Sequence, residues 1–245
     1  MKTCIISDIH FKYLTRTEED KDNNQRILRF LDSIIGEYDQ LILNGDVFDL
    51  WFDWEYGLIK QYFPILKKLA DIVEHGCKIR YISGNHDFWF NDFFSYYMDV
   101  ELYQDGYSFE DTGKRVLVAH GDLYTVNDLR YKLFRSLIRL RIMKRLFALI
   151  HPYIALSLGS KLSRTSRKRT SPPESRRLKT SGLELYATKQ ILHHGYDYVI
   201  MGHSHEPLLK AIEHGYYANC GDWVQHFSYV KIIDGKIELC SFARS

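Results

Sequence analysis

Five short apolar runs in this chain each end in Asp, Asn or His, side chains of a type able to ligate metal ions, and that recurrence constrains the fold more than any single segment does. Cys4–Ser7 runs into Asp8 and His10, and Leu41–Leu43 into Gly45 and Asp46. Lys78–Ile82 leads to GNHD at 84–87, Val116–Ala119 to His120, and Tyr198–Met201 to GHSH at 202–205. Continuous apolar strands of this kind belong to sheets covered on both faces by helices. Helical periods fall between them, with Ile27, Leu28, Leu31, Ile34 and Ile35 on one face of residues 24–35. Residues 58–73 repeat the pattern with Ile59, Phe63, Leu66, Leu69 and Val73. Alternating strands and helices predict an α/β fold. Beyond residue 205 the pattern becomes strand and turn, with Asp234-Gly235 between two apolar runs predicting a hairpin.

In open α/β sheets, ligands bind beyond the carboxyl ends of the strands, where loops converge. Here the five strand ends deliver Asp8 and His10, Asp46, Asn85 and His86, His120, and His203 and His205. Any one of these has an ordinary reading: a turn aspartate, or a core histidine with a satisfied ring. Five coincidences favour a metal site instead. The mixed oxygen and nitrogen donors suit Mn²⁺, Fe²⁺ or Zn²⁺ better than Ca²⁺. One ion takes about three or four protein ligands, so the inventory fits two divalent ions sharing a carboxylate.

The formal net charge of +2 hides a strong asymmetry. Between Arg130 and Lys179 stand 15 Lys and Arg and a single acid, Glu174, while the rest of the chain holds 18 basic against 30 acidic residues. Such a segment seeks phosphates, in nucleic acid, lipid headgroups or a charged substrate. Within it, Leu133, Phe134, Leu137, Ile138, Ile142, Met143, Leu146, Phe147 and Ile150 form one helical apolar face. Lys132, Arg135, Arg139, Lys144 and Arg145 fall mostly on the other side. Pro152 is expected to end that helix, with a second from Tyr153 to about Leu162 and a basic loop at 163–177. Residues 125–180 are thus expected as a basic helical insertion within a single domain spanning 1–245.

Four cysteines with no CxxC spacing predict neither a disulfide framework nor a structural zinc site. Asp8 interrupts the N-terminal apolar run too early for a secretory signal. Nothing approaches the ~18 apolar residues of a membrane span. Neither secretion nor a transmembrane anchor is expected.

DxH (Asp8, His10), GD (Gly45, Asp46), GNHD (84–87), the lone His120 and GHxH (202–205) resemble, in order, the five-block signature of calcineurin-like metallophosphoesterases. The resemblance implies a four-layer α/β/β/α sandwich with a dinuclear centre. It assigns Asp8, His10, Asp46 and His205 to one ion and Asp46, Asn85, His120 and His203 to the other. It places His86 beside the site, helping the phosphoryl oxygen or the leaving group, so that His86, Asp46 and Asn85 carry catalysis. Asp49, Asp87 and Asp122 are positioned either to orient ligand histidines or to cap loops.

Total length, HGD at 120–122 and the position of the basic insertion most resemble bacterial UDP-2,3-diacylglucosamine hydrolases. That resemblance implies Mn²⁺ as the metal and a lipid-linked sugar nucleotide as substrate, cleaved at its pyrophosphate in lipid A biosynthesis. It also implies a helical lid over the acyl chains and a cytoplasmic protein peripheral to the inner membrane. Asp122, Lys161, Arg164, Arg167 and Lys168 are the expected substrate contacts, and no nucleic acid is expected. The family's best-known members carry Arg where this chain has His86, which leaves open a phosphodiesterase acting on another lipid, a nucleotide or a nucleic acid. Trp51, Phe52 and Trp54 either line an acyl pocket or belong to the core.

Overall fold

A computed structural model describes residues 1–126, 129–150, 154 and 173–243. One sheet has the order β11-β10-β1-β2-β3-β4, built from β1 (Lys2–Ile6), β2 (Gln40–Asn44), β3 (Lys78–Ile82), β4 (Glu101–Tyr103), β10 (Ser228–Ile233) and β11 (Lys236–Ser241). The other has the order β5-β6-β7-β9-β8, from β5 (Tyr107–Asp111), β6 (Lys114–Val118), β7 (Tyr198–Met201), β8 (Leu208–Ile212) and β9 (Gly215–Asn219).

Residue alternation sorts the strand side chains into layers, because neighbours on a strand point to opposite faces. Cys4, Ile6, Leu41, Leu43, Ile79 and Tyr81 face helices α1 (Glu18–Ser33) and α2 (Phe63–Glu74). Ile5, Ile42, Ile82, Val230 and Ile232 turn the other way and meet Val116, Val118, Tyr198, Ile200 and Ala218 between the sheets. On the far side, Val199, Met201 and Tyr217 pack against Leu183, Ala187 and Ile191. Those three recur every fourth residue along helix α5 (Pro173–His194). The layers therefore run α/β/β/α, as expected.

Strands β1, β2 and β3 are parallel, and so are β6, β7 and β9. Each trio delivers its carboxyl ends to one edge of its sheet.

Helix α1 starts at Glu18, six residues before the apolar period begins. Thr17 caps it: the Thr17 side chain accepts from the Asp20 N–H while the Asp20 carboxylate reaches back to the Thr17 N–H. Its first turns are polar on every side, so hydrophobic periodicity alone could not register them.

The single long helix expected near 130–150 is instead two, α3 (Leu129–Ile138) and α4 (Arg141–Ala148). Trp89 donates its indole N–H to the Ile138 carbonyl at 3.0 Å, which diverts an acceptor that a continuous helix would give to residue 142. Several cations of these helices turn toward the body. Arg135 is only 8% exposed, and Lys144 donates to the Phe90 carbonyl. Leu133, Phe134, Leu137, Ile142 and Leu146 are the exposed side chains, Leu133 at 72%. Arg135, Arg139 and Lys144 find acceptors on the body while Arg141 and Arg145 stay exposed, and Phe147 packs inward while several other apolar side chains face out.

Helix α5 begins at Pro173, so the end of the expected basic loop is helical. The second expected helix, Tyr153 to Leu162, apart from Ile154, and most of that loop lie outside the described residues. Trp51 belongs to the core against Tyr62 and Phe94, whereas Phe52 and Trp54 pack on Phe147 of α4.

Candidate metal centre

The loops that leave the strand ends are held in unusual backbone conformations by close packing and hydrogen bonds. Among the described residues ten non-glycine positions have φ in the left-handed region, and five of them are Asp8, His10, Asp46, His203 and His205. That conformation costs on the order of 1 kcal/mol for an L-residue, and such strain concentrates at functional sites. The glycines of the motifs have a packing reason. A Cβ on Gly84 would stand 2.1 Å from Asp46 Oδ1, and one on Gly202 would stand 2.4 Å from Asp8 Oδ2.

Asp87, the last residue of GNHD, organises two of these loops at once. One carboxylate oxygen accepts the N–H groups of Asp46 (3.0 Å) and Gly84 (2.8 Å), and the other those of Val47 (2.6 Å) and Phe48 (3.3 Å). Tyr81 donates its hydroxyl to the same side chain. Burial, with the neighbouring Asp46 charge, pushes its pKa up to about 6. Of the two readings open for Asp87, it is the loop cap.

Held this way, the expected residues converge. Three sets offer donor atoms within 4.8 Å of one another: Asp8, His10 and His205; His10, Asp46 and His86; and Asp8, Asp46 and His120. Asn85 Oδ1 lies 3.3 Å from His120 Nε2, and the His203 ring stands with its centroid 5.3 Å from that of His120. His86 thus sits closer to the donor cluster than a residue merely beside the site.

Four imidazoles share one orientation. His120 Nδ1 donates to the Asn44 carbonyl and His86 Nδ1 to the Asp49 carbonyl, each at 2.9 Å. His205 Nδ1 lies 3.1 Å from Asp222 Oδ2, and His10 Nδ1 3.6 Å from Asp49 Oδ1. An acceptor within hydrogen-bond distance of Nδ1, as at His120, His86 and His205, requires a proton there, so in the neutral ring the lone pair is on Nε2. Every Nε2 points to the shared carboxylates: His120 and His86 at 3.6 and 4.0 Å from Asp46 Oδ2, His205 at 3.3 Å from Asp8 Oδ1. Outward partners of this kind fix the tautomer of metal-binding histidines.

The carboxylates are likewise half-committed. Asp46 Oδ1 accepts from the N–H groups of Asn85 (2.7 Å) and His86 (2.9 Å), leaving Oδ2 facing the imidazoles. Asp8 Oδ2 accepts the His203 N–H at 2.8 Å, whereas Asp8 Oδ1 is buried and accepts no hydrogen bond among the described residues. An orphaned carboxylate oxygen costs about 1–3 kcal/mol or more unless something cationic meets it. Burial raises the Asp8 pKa despite His205 and His120. The donor set and its unanswered oxygen fit divalent cations.

At His120, burial works against the cation but the Asp46 carboxylate overrides it, pushing the pKa up to about 10. In the metal-free protein the ring is therefore protonated at neutral pH, and a bound cation must displace that proton. Metal affinity is expected to rise as pH rises toward 10, by up to about tenfold per unit, with proton release on binding. Calorimetric titration with Mn²⁺ between pH 6.5 and 8.5, in buffers of different ionisation enthalpy, measures that release. Zero release at every pH would contradict the arrangement.

Asp122, expected among the substrate contacts, is 3% exposed and occupied by protein groups. Its Oδ2 accepts from Arg135 Nε at 2.6 Å and from the Tyr131 hydroxyl at 2.9 Å, both on α3. Lys161, Arg164, Arg167 and Lys168 lie outside the described residues. Sequence reasoning missed Asp222, which follows β9 and accepts from the N–H groups of Gln225 and His226 (2.9 Å each) while orienting His205. Despite burial, its contact with His205 and those N–H bonds hold its pKa down at about 2. Gly221-Asp222 repeats the Gly45-Asp46 pattern at a strand end, and that repetition was the available signal.

The family profile described as calcineurin-like phosphoesterase matches residues 1–207. A UDP-2,3-diacylglucosamine hydrolase of Porphyromonas gingivalis is 29% identical over 59% of this chain and 55% of its own length, so that match spans about half of the relative. One from Haemophilus ducreyi is 24% identical over 96% of this chain and 97% of that protein. One from Photorhabdus laumondii is 27% identical, with 99% of each covered. Among solved structures, Vps29 of Entamoeba histolytica in complex with zinc is 13% identical, with 98% of this chain and 90% of that chain covered and a TM-score of 0.47.

Proposed function

The chain belongs to the calcineurin-like phosphoesterase family and is a metal-dependent hydrolase, and from that premise we propose that it cleaves the pyrophosphate bond of UDP-2,3-diacylglucosamine, releasing UMP and 2,3-diacylglucosamine 1-phosphate. What carries this reading is the length of the resemblance: relatives of that name align with 94–98% of the chain, the basic segment included. The exposed apolar side chains of α3 and α4 support it. Exposed Leu133, Phe134, Leu137, Ile142 and Leu146 suit acyl chains or a bilayer surface, beside cations that suit phosphate. No described helix is long and apolar enough to cross a membrane. The location we propose is the cytoplasmic face of the inner membrane.

In this reading Asp8, His10, Asp46 and His205 hold one cation, and Asp46, Asn85, His120 and His203 the other, with Mn²⁺ the proposed metal. Bound there, two divalent cations supply Lewis acidity toward the phosphoryl oxygens and lower the pKa of a water. Asp46 is placed to serve both, because its Oδ1 is tied to backbone and its Oδ2 stands among the imidazoles. His86, anchored through Nδ1, presents Nε2 to a phosphoryl oxygen or to the leaving group. Lys161, Arg164, Arg167 and Lys168 are the proposed diphosphate contacts, and residues 125–180 the proposed lid.

The test is hydrolysis of UDP-2,3-diacylglucosamine with Mn²⁺ in detergent micelles, beside an aryl phosphodiester. Rapid UMP release with feeble diester cleavage is expected. Cleavage of the diester alone would discard this substrate and favour the second reading, a phosphodiesterase for another lipid or nucleotide, to which His86 in place of Arg points.

A further inference from the structure

We infer that Arg139, at the junction of α3 and α4, is a positioning residue for the metal centre, acting through a single peptide unit on the shared carboxylate. The inference rests on the reading of Asp46 as a metal ligand, but not on any particular substrate. Arg139 Nη2 donates to the Gly84 carbonyl at 2.8 Å, and Nη1 donates to Ser83 Oγ at 3.1 Å. Its guanidinium stands 5.1 Å from the ring centroid of Phe88. The carbonyl of Gly84 and the N–H of Asn85 belong to the same peptide group. That N–H donates to Asp46 Oδ1 at 2.7 Å, the shortest bond this carboxylate makes to backbone. Cation, peptide and carboxylate thus form one chain of aligned hydrogen bonds. A charged donor on a carbonyl polarises the peptide and strengthens its N–H as a donor, more so where the local dielectric is low.

The geometry makes Asp46 sensitive to this peptide. Gly84 lies against Asp46 so closely that no Cβ fits between them. Rotation of the peptide would therefore move the carboxylate, and with it the Asn85 side chain. The α3–α4 junction grips the same loop a second time, where the Ile138 carbonyl accepts from Trp89. Gly84 and Trp89 flank Asn85 and His86, so the junction clamps the segment that bears them. The same interaction ties the basic helices to the metal centre.

Arg139→Gln removes the charge and keeps most of the side chain's length, whereas Arg139→Lys restores a cation without the fork. In the full-length protein, Arg139→Gln is expected to weaken Mn²⁺ binding about tenfold by calorimetry, as loss of an outer partner of a metal ligand does. It should lower kcat on an aryl phosphodiester about as much while KM stays within about twofold, and Arg139→Lys or added guanidinium should recover part of both. Unchanged metal affinity in a folded Arg139→Gln protein would overturn the inference. So would losses that follow the melting temperature and that neither Lys nor guanidinium restores. A wild-type protein that binds Mn²⁺ but ignores UDP-2,3-diacylglucosamine would sink the substrate proposal and leave this one standing. A wild-type protein that binds no divalent metal would sink both, before any variant is made.

Discussion

Asp46→Ala is expected to reduce turnover of an aryl phosphodiester by about a thousandfold or more, and to lower bound Mn²⁺ from two ions per chain to one or none. The reason is that this carboxylate is divided between two tasks. Its Oδ1 is consumed by the N–H groups of Asn85 and His86, which aims Oδ2 at His10, His86 and His120 at 3.9, 4.0 and 3.6 Å. Removing it deprives both proposed ions of a ligand and leaves His120 without the partner that raises its pKa. Lewis-acid stabilisation supplies several kcal/mol of the lowered barrier, and about 4 kcal/mol corresponds to a thousandfold. Steady-state kinetics and atomic absorption on the purified variant decide the matter. Near-normal turnover with two ions retained would rule out a shared carboxylate at this position.

The second large effect concerns stability. Asp87→Ala is expected to cost about 4 kcal/mol or more, read from urea denaturation of the metal-free protein. Four backbone N–H groups and the Tyr81 hydroxyl end on this side chain, all in the buried interior. A buried donor left without a partner costs about 1–3 kcal/mol, and relaxation of two interlocked loops cannot rescue five donors together. Asp87→Asn keeps an acceptor and an isosteric shape, so its loss should be clearly smaller. The Ala variant should also bind Mn²⁺ poorly, because Asp46 and Gly84 are held by the same carboxylate. A midpoint shift worth less than about 1 kcal/mol would show that the loops keep their form without it.

The two results would separate chemistry from architecture. Asp46 Oδ2 faces the cluster of imidazoles, whereas Asp87 lies behind it and holds the Asp46 N–H. Both look alike in the sequence, as an acid one or two residues from a glycine or histidine. Only the count of backbone donors around each tells them apart.

Much of the fold was legible because hydrophobic periodicity reports burial. The strands of the two sheet centres carry uninterrupted apolar runs, and α2 carries apolar residues at helical spacing, whereas the Leu183–Ile191 face of α5 was not read although its apolar residues recur every fourth position. Strands β5 and β8 were missed because their side chains are mostly half-exposed or exposed: β5 is largely polar, and in β8 Lys210 interrupts an otherwise apolar run. The first turns of α1 were missed for a similar reason, being set by a capping box rather than by packing. At the site, the strand-end pattern placed Asp8, His10, Asp46, Asn85, His86, His120, His203 and His205 together. Asp222 escaped notice because its partner His205 is 17 residues distant in the chain.

By itself the sequence determined the α/β class, since apolar runs and helical periods state which residues leave water, whereas the four α/β/β/α layers followed only from the resemblance to calcineurin-like metallophosphoesterases. It also determined the donor inventory, since ligand chemistry is carried by residue type and strands deliver those residues at their ends. Only the tertiary structure decided which nitrogen of each histidine faces inward, because that depends on acceptors such as the Asn44 and Asp49 carbonyls, 76 and 37 residues away in the chain. It alone decided the direction of α3 and α4 as well. Amphipathic helices present two faces with equal clarity, and the buried one was selected by Asp105, Asp122 and the Gly84 carbonyl, which together draw Arg135 and Arg139 inward. Electrostatic partners of that kind are brought together by the chain's return across both sheets, which no local pattern records.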